Sequence, residues 1–305
     1  MGQKATRLAK LGGSFGLVAL ATTGCSASDV LRFGWPEGAT PQADQMRNLW
    51  TWSVIAALLV GVLVWGLILW SVVFHRKRGD EMPRQTQYNV PLELVYTVIP
   101  LVMVTVLFYF TATTQNYVLA QEEDPDVTVE VVAFQWNWEF RHLDEITPDG
   151  DPVSTLGSSD EIPLLVVPTD QVIQYEVRSN DVIHSFFVPE FHFKRDTFPH
   201  PEKNNQDNVF QNVIDQPGAF VGRCAELCGT YHSMMNFEVR ALPGDLYDEF
   251  MDLRVRENPE TGDLYTASQA LTEMDCGELC APEAVTTHPF NTDRTAREAS
   301  TREQN

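Results

Sequence analysis

Five residues with sulfur or imidazole side chains define the chemistry that this sequence could support. Four of them lie in one short loop with the spacing C-x3-C-x3-H-x2-M, namely Cys224, Cys228, His232 and Met235. The fifth, His184, lies forty residues upstream of Cys224 and supplies a second imidazole. Thiolate, imidazole and thioether ligands suit copper better than magnesium or calcium. The set is large enough for two copper ions that share both thiolate sulfurs.

Two commoner uses of such residues stay open beside copper. In an exported domain a Cys-x3-Cys pair is most often a disulfide, and two cysteines with a histidine are ordinary zinc ligands. Copper is favoured because the loop joins two β-type runs, because Met235 follows His232 closely, and because His184 begins another run. The CxxCH pattern of c-type haem attachment is absent from the sequence. A dry cage of these ligands would move electrons one at a time and has no open position for a substrate.

Two apolar runs upstream of the loop are long enough to cross a membrane. We predict membrane helices over residues 49–74 and 92–114, because about 20 apolar residues span the hydrocarbon core of a bilayer. Trp50 and Trp70, near the two ends of the first run, are placed like interface anchors. The loop of residues 75–91 carries a basic cluster, so the positive-inside rule assigns it to the cytoplasm. The helices then form a hairpin, and everything after the second one lies outside the cytoplasm.

An export signal is predicted before the hairpin. Residues 1–24 combine a positively charged start with an apolar stretch that is too short to span a bilayer. The end of this segment resembles a bacterial lipobox, which predicts cleavage and lipidation at Cys25. An uncleaved leader with an unused cysteine is the alternative. Residues 25–48 are polar and contain several prolines and glycines, and we expect an irregular external segment there.

Short β-type runs fill the stretch from residue 127 to residue 244. Apolar and polar residues alternate, and turn residues separate the runs, which indicates an antiparallel sandwich or barrel. Trp136 and Trp138 continue the alternation of the first run and are expected on one face of a strand. The predicted runs cover residues 127–134, 162–167, 172–177, 184–188, 209–214, 219–223 and 235–242.

Residues 245–305 are predicted to form a helix and an acidic tail. Apolar residues at helical spacing indicate an amphipathic helix from Asp245 to Arg256. Residues 266–305 are polar, and we expect them to be extended or partly disordered. They contain Cys276 and Cys280, which repeat the C-x3-C spacing without a histidine and a methionine in register. A disulfide is therefore expected between these two cysteines.

The charge of the chain excludes one class of function. The formal net charge is −21, whereas a nucleic-acid-binding protein needs a basic face. An acidic surface is compatible with docking of a basic protein partner, and solubility alone explains it equally well.

Two residues of the second apolar run are unusual for a membrane helix. Pro100 removes one helix hydrogen bond and is expected to kink the helix. Glu93 lies at the cytoplasmic end of the run, where an acid is either an interfacial residue or the entrance of a proton path.

Four blocks of the chain resemble subunit II of haem–copper cytochrome c oxidase. The likeness covers residues 50–242 and rests on residues 91–100, 135–138, 181–185 and 222–235. It implies a two-helix transmembrane hairpin that carries an all-β, cupredoxin-like Greek-key domain on the outer face of a bacterial cell membrane. It also implies a binuclear copper centre, CuA, with the side-chain ligands His184, Cys224, Cys228, His232 and Met235.

The same resemblance implies roles for four further residues and for one short segment. Glu226 is expected to lend its backbone carbonyl to copper, while its side chain reaches a magnesium or manganese ion shared with subunit I. Trp136 would receive electrons from cytochrome c, with Trp138 as its support. Glu93 matches the acid at the entrance of the K proton pathway. Residues 194–196 would contact haem propionates or subunit I.

The implied activity is that of an aa3-type, proton-pumping cytochrome c oxidase, in which oxygen is reduced in subunit I. The implied partners are subunit I, other oxidase subunits, and a cytochrome c that is either soluble or bound to a bc complex in a supercomplex. A membrane-anchored copper chaperone or thiol oxidoreductase is the alternative, although the runs supply no thioredoxin-like βαβ pattern. A purely structural subunit is the third interpretation, and the presence of all five side-chain ligands counts against it.

Overall fold

Two long apolar helices precede the β-strands of this protein. The computed structural model describes residues 32–77, 79–82, 85–159 and 161–286. The predicted signal segment, Cys25 and the end of the predicted tail lie outside the described residues. Helix α1 spans Pro41–Phe74 and helix α2 spans Val90–Val118.

Both helices are long and apolar enough to cross a membrane. Their mean hydropathy reaches 2.5 in α1 and 2.1 in α2, and none of these apolar stretches is buried inside the protein. At about 1.5 Å per residue, either helix exceeds a hydrocarbon core of about 30 Å. Pro100 lies inside α2, as the sequence indicates.

Helix α1 begins earlier than predicted. The side chain of Thr40 accepts a hydrogen bond from the amide of Ala43 at 3.0 Å, Pro41 begins the helix, and Asp44 adds a negative charge to the first turn. These are standard signals for a helix N-terminus. The prediction of an irregular segment over residues 25–48 is therefore wrong for residues 41–48.

Ten strands follow α2 among the described residues. Strands β1 to β5 are Val127–Phe134, Asn137–Ile146, Pro152–Leu156, Leu164–Pro168 and Val172–Ser179. Strands β6 to β10 are His184–Val188, Phe193–Thr197, Val209–Val213, Gly218–Cys224 and Asn236–Leu242. They form two five-stranded sheets, with the orders β3-β2-β1-β5-β8 and β4-β10-β9-β6-β7.

The sheets are mixed, and the prediction of an antiparallel sandwich is wrong in this respect. Strand β1 pairs with β5 in parallel, and β4 pairs with β10 in parallel. Between the members of each pair the chain passes through strands of both sheets before it returns in the same direction. Alternation of apolar and polar residues reports burial on one face and carries no information about strand direction, so the sequence pattern could not reveal these parallel pairs.

Three further α-helices occur among the described residues. Helix α3 is the short Pro201–Asn204, α4 is Gly244–Arg254 and α5 is Ala267–Met274. Helix α4 matches the predicted helix closely. Helix α5 was predicted as extended or disordered chain, yet Thr266 and Gln269 form a complete capping box at its start. The apolar faces of α4 and α5 join the main core through Tyr247, Phe250, Met251, Ala270 and Leu271.

The last described segment, residues 276–286, is held against strand β10 and is called the C-terminal strap here. The predicted disulfide between Cys276 and Cys280 is confirmed. Arg240 on β10 donates through Nη1 to the carbonyls of Leu279 at 2.7 Å and Ala281 at 3.0 Å.

The strap covers an ion pair between two residues of β10 that lie on the sheet face opposite Phe237, Val239 and Ala241. Arg240 pairs with Glu238, and both side chains are fully buried. The second carboxylate oxygen of Glu238 accepts hydrogen bonds from the amides of Val285 at 2.7 Å and Thr286 at 2.8 Å. A buried ion pair is tolerable only when most of its remaining donors and acceptors are satisfied. The strap supplies partners for this second oxygen of Glu238 and for the terminal nitrogens of Arg240, while Nε of Arg240 has no partner among the described residues.

Removal of Arg240 should therefore destabilise the domain strongly. We expect Arg240→Met to lower the free energy of unfolding by about 3–5 kcal/mol, because the carboxylate of Glu238 would remain buried without its cation. The double variant Glu238→Leu, Arg240→Met removes both charges and should recover part of that loss. Thermal and denaturant unfolding of the full chain in detergent measures both effects. A single variant as stable as the wild type would contradict this account of the strap.

Candidate metal centre

Strand pairing brings the sulfur and imidazole residues together at one end of the sandwich. Strands β6 and β9 are antiparallel neighbours with Phe186 opposite Cys224. His184, at the start of β6, therefore lies beside the loop that begins after Cys224. That loop runs from the end of β9 to the start of β10 and carries the other three predicted ligands. The turn between β1 and β2 lies against the same loop.

The potential metal-binding atoms lie within a few ångströms of one another. The sulfur atoms of Cys224 and Cys228 are 3.7 Å apart. Nδ1 of His184 lies 3.9 Å from Sγ of Cys224, and Nδ1 of His232 lies 3.6 Å from Sγ of Cys228. Sδ of Met235 lies 3.9 Å from Sγ of Cys228. The thiols of Cys224 and Cys228 and the ring of His184 are all buried and close enough to hold one metal ion.

A backbone oxygen completes this cluster. The carbonyl of Glu226 lies 3.2 Å from Sγ of Cys224. The side chain of Glu226 points away from the sulfur pair, is 46% exposed and lies 3.9 Å from Nζ of Lys194. The two methionines of the loop also differ in position, since Met235 directs its sulfur at Cys228 and Met234 is buried without such a contact among the described residues.

The two loop cysteines are free thiols. Their sulfur separation of 3.7 Å far exceeds the bond length of about 2.05 Å in a disulfide. Burial, and then the neighbouring Cys224, raise the pKa of Cys228 to about 12. Two buried thiols with imidazole nitrogens and a thioether around them are a donor set that fits a soft or borderline metal ion, whose binding would displace the thiol protons.

His184 is oriented by an acid that sequence reasoning missed. Nε2 of His184 lies 2.8 Å from Oδ1 of Asp181, which leaves Nδ1 directed at Cys224. Burial lowers the pKa of His184, so the ring is neutral at pH 7 and can act as a ligand. Partial burial raises the pKa of Asp181, but hydrogen bonds from His184 and from the amides of Gln135 and Val182 outweigh it, and the net pKa is low. The sequence feature that could have revealed this role is that Asp181 lies three residues before the candidate ligand His184.

The two tryptophans do not share a strand face, so that prediction is wrong. Strand β1 ends at Phe134, the chain reverses at residues 135–136, and β2 pairs with β1 so that Trp138 lies opposite Ala133. Trp138 is fully buried, and its indole contacts the ring of Phe237 edge to face. Trp136 lies in the turn itself, partly buried. The alternation of residues in the sequence continues across the turn by coincidence, because the turn contains two residues and so leaves the period of two unchanged.

Trp136 is attached directly to the cysteine loop. Its indole Nε1 donates a hydrogen bond to the carbonyl oxygen of Cys228 at 3.0 Å. Its ring meets Tyr231 edge to face at 5.1 Å. Gly229 lies beneath the indole with a φ of +118°, and a Cβ there would lie 3.2 Å from the ring. The positive φ favours glycine, and a side chain there would also press against the indole.

Of the other predicted residues, Glu93 lies away from the cluster, and residues 194–196 lie beside it. Glu93 is in the first turn of α2, where its carboxylate accepts the amide of Asn89 at 2.9 Å and caps the helix. Helix α2 separates it from the β-domain. Lys194 pairs with Asp196, and Arg195 pairs with Asp207 at 2.8 Å, on the strand next to β6.

A β-sandwich with a buried His/Cys/Cys cluster at one end, carried on two apolar helices, defines a membrane-anchored cupredoxin-like protein. The chain belongs to the cytochrome c oxidase subunit II family. The family model for the periplasmic domain of cytochrome c oxidase subunit II matches residues 127–242, and the model for its transmembrane domain matches residues 28–112.

The relatives agree along almost the whole chain. A probable cytochrome c oxidase subunit 2 from Nocardia farcinica is 48% identical, over 96% of this chain and 90% of the relative. Cytochrome c oxidase subunit 2 of Mycobacterium tuberculosis is 44% identical, over 93% of this chain and 89% of the relative. The crystal structure of the periplasmic domain of subunit II of cytochrome oxidase from Bradyrhizobium japonicum is 27% identical over 43% of this chain and 95% of that chain, with a TM-score of 0.36.

Family membership confirms several of the expectations. The chain is a subunit of a haem–copper oxidase, and other oxidase subunits are its partners. It is anchored in the membrane by its helices, with the β-domain on the extracytoplasmic side. The family implies copper in a CuA site, and the buried His184, Cys224 and Cys228 are a group that can hold metal.

Proposed function

We propose that this chain accepts electrons from cytochrome c at a binuclear CuA centre and passes them to haem a in subunit I, where oxygen is reduced and protons are pumped. The observation that carries the proposal is that six donor groups, two of them the thiols of Cys224 and Cys228, lie together in one cluster. They are the side chains of His184, Cys224, Cys228, His232 and Met235 and the carbonyl of Glu226.

Each donor has a defined task in this proposal. The two thiolates and Nδ1 of each imidazole would hold the copper ions. Met235 and the carbonyl of Glu226 complete the set. Copper bound there supplies one-electron transfer between two oxidation states. The protein buries His184, both thiols and Met235, which is only 1% exposed, whereas His232 is partly exposed. Water therefore has little access to most of the proposed ligands, and packing limits their rearrangement.

Trp136 is the residue through which we propose that electrons reach the cluster. It is partly exposed beside the loop, and its indole hydrogen bond to Cys228 gives a direct contact with a proposed ligand residue. Trp138 lies behind the cluster, where its indole Nε1 is 3.3 Å from the carbonyl of Met235. Trp138 would therefore support Trp136 indirectly, by holding the backbone of the ligand loop in place.

Further roles belong to the same proposal. The exposed carboxylate of Glu226 would bind magnesium or manganese together with subunit I. Glu93 would open the K proton pathway, in addition to capping α2. Cys25 would carry a lipid anchor, and cytochrome c could be delivered by a bc complex in a supercomplex.

The alternatives predict different copper contents. The full chain, purified in detergent with both loop cysteines reduced, should hold two copper ions per chain by metal analysis after removal of loosely bound copper. One copper ion, or a reducible disulfide between Cys224 and Cys228, would favour a copper chaperone or a thiol oxidoreductase. No retained copper would favour a purely structural subunit.

A further inference from the structure

A ring of three hydrogen bonds and two longer sulfur contacts passes through three residues of the ligand cluster. Oδ1 of Asp181 accepts from Nε2 of His184 at 2.8 Å, and Oδ2 accepts from the backbone amide of Gln135 at 2.6 Å. The side-chain amide of Gln135 then donates to the carbonyl of Cys228 at 2.8 Å. Cys228 and His184 both face Cys224, which closes the ring on its inner side.

The ring joins three loops that are distant in sequence. Asp181 lies between β5 and β6, Gln135 lies between β1 and β2, and Cys228 lies between β9 and β10. The carbonyl of Cys228 accepts two donors, the amide of Gln135 and the indole of Trp136. The ring therefore fixes the His184 ligand and the indole at the same time.

We propose that Asp181 and Gln135 are positioning residues that order the ligand cluster before metal binds and hold Trp136 against it. Asp181 keeps the proton of His184 on Nε2 and so presents the Nδ1 lone pair to the metal. Gln135 connects Asp181 to the loop that carries Cys228. The inference rests on the proposed copper site, but the ordering of His184 concerns the metal-free chain and can be measured there.

Two observations distinguish this arrangement from an ordinary loop hydrogen bond. Both oxygens of Asp181 are engaged, and the carboxylate also accepts the amide of Val182 at 2.6 Å, although its side chain is 31% exposed. An exposed acid can normally remain solvated at no cost. Outer partners of metal-binding histidines fix the tautomer and ring orientation of the ligand, and their loss costs about 10- to 100-fold in metal affinity.

The first test uses the metal-free full chain labelled with ¹⁵N in its 7 histidines. In the wild type we expect His184 to give an Nε2–H resonance that exchanges slowly with water, beside any slow resonance from the buried His142. The His184 resonance should be lost in Asp181→Ala, and the shift of Nδ1 should move toward that of a ring with mixed tautomers. It should remain in Gln135→Met, which keeps the backbone amide bonded to Asp181.

The second test measures copper affinity in competition with a chelator of known strength. We expect Asp181→Ala to bind copper about 10- to 100-fold more weakly than the wild type. Gln135→Met should weaken binding less, and Asp181→Asn, which keeps one acceptor oxygen, should lie between Asp181→Ala and the wild type. The control is Asp126→Ala. Asp126 also accepts a backbone amide, that of Val172 at 2.7 Å, but precedes β1 at the opposite end of the strand.

The outcomes separate positioning from simple loop stability. If Asp181→Ala and Asp126→Ala lower the melting temperature alike and both retain wild-type copper affinity and the His184 resonance, the proposal is overturned. If Asp181→Ala fails to fold, Asp181→Asn decides by copper affinity alone, and wild-type affinity in Asp181→Asn overturns the proposal. A wild-type chain that binds no copper but shows the Asp181-dependent resonance would refute the proposed function while supporting the ordering of His184.

Discussion

Cys228→Ser should abolish the binding of a pair of copper ions. The activity of the oxidase should be lost with it. Cys228 lies closest to the centre of the cluster, because its sulfur contacts Cys224, His232 and Met235 within 3.9 Å. A serine hydroxyl is a hard ligand with a pKa too high to replace a bridging thiolate. The loss should exceed the roughly 100-fold that removal of an outer partner can cost. Copper content and cytochrome c oxidation by the assembled oxidase measure the effect.

The second C-x3-C pair of the chain provides a matched control. Cys276 and Cys280 have the same spacing but form a disulfide in the C-terminal strap. The double variant Cys276→Ser, Cys280→Ser should lose stability and keep its copper. Full copper content in Cys228→Ser, or equal copper loss in the two variants, would contradict the assignment of the ligands.

Trp136→Leu should slow electron transfer from cytochrome c by about 100-fold while copper content stays unchanged. Leucine removes the indole, its hydrogen bond to Cys228 and its edge contact with Tyr231. The gap that remains must be crossed through water or empty space, and misplacement of a reacting group by about 1 Å can cost about 100-fold in rate. Rapid mixing of reduced cytochrome c with the assembled oxidase measures this step directly.

Tyr231→Phe is the corresponding control for Trp136. It keeps the aromatic ring that contacts the indole and removes only a hydroxyl, so the rate of electron transfer should change little. The proposed path through Trp136 would be wrong if Trp136→Leu accepted electrons at the wild-type rate, or if its copper spectrum changed so much that the site itself had been disturbed.

The sequence indicated which sulfur and imidazole residues the structure brings together, because most of that information is local. Four of the five proposed side-chain ligands lie in one loop, and the types and spacing of these residues predict a soft metal site without knowledge of the sheets. The two membrane helices were equally accessible, since a run of about 20 apolar residues is typical of a membrane span. The helix ends differ from the predicted ones. At their N-termini the helices begin earlier than predicted, where Thr40 caps α1 and Asn89 caps α2.

The missed features depend on contacts between distant parts of the chain. Asp181 and Gln135 are ordinary loop residues until three loops meet, and no periodicity marks them. Glu238 and Arg240 alternate correctly for a strand, but their burial follows from the strap, which the polar composition of residues 266–305 as a whole concealed. The turn at Trp136 was missed because alternation alone does not report a reversal of direction.

The most direct test of the central claim is the electron paramagnetic resonance spectrum of the copper-loaded full chain. A binuclear centre with two bridging thiolates predicts one unpaired electron shared equally by two copper nuclei, with a seven-line hyperfine pattern and two copper ions per chain. A four-line spectrum from a single copper ion, or a chain without a copper signal after loading under reducing conditions and reoxidation, would contradict it.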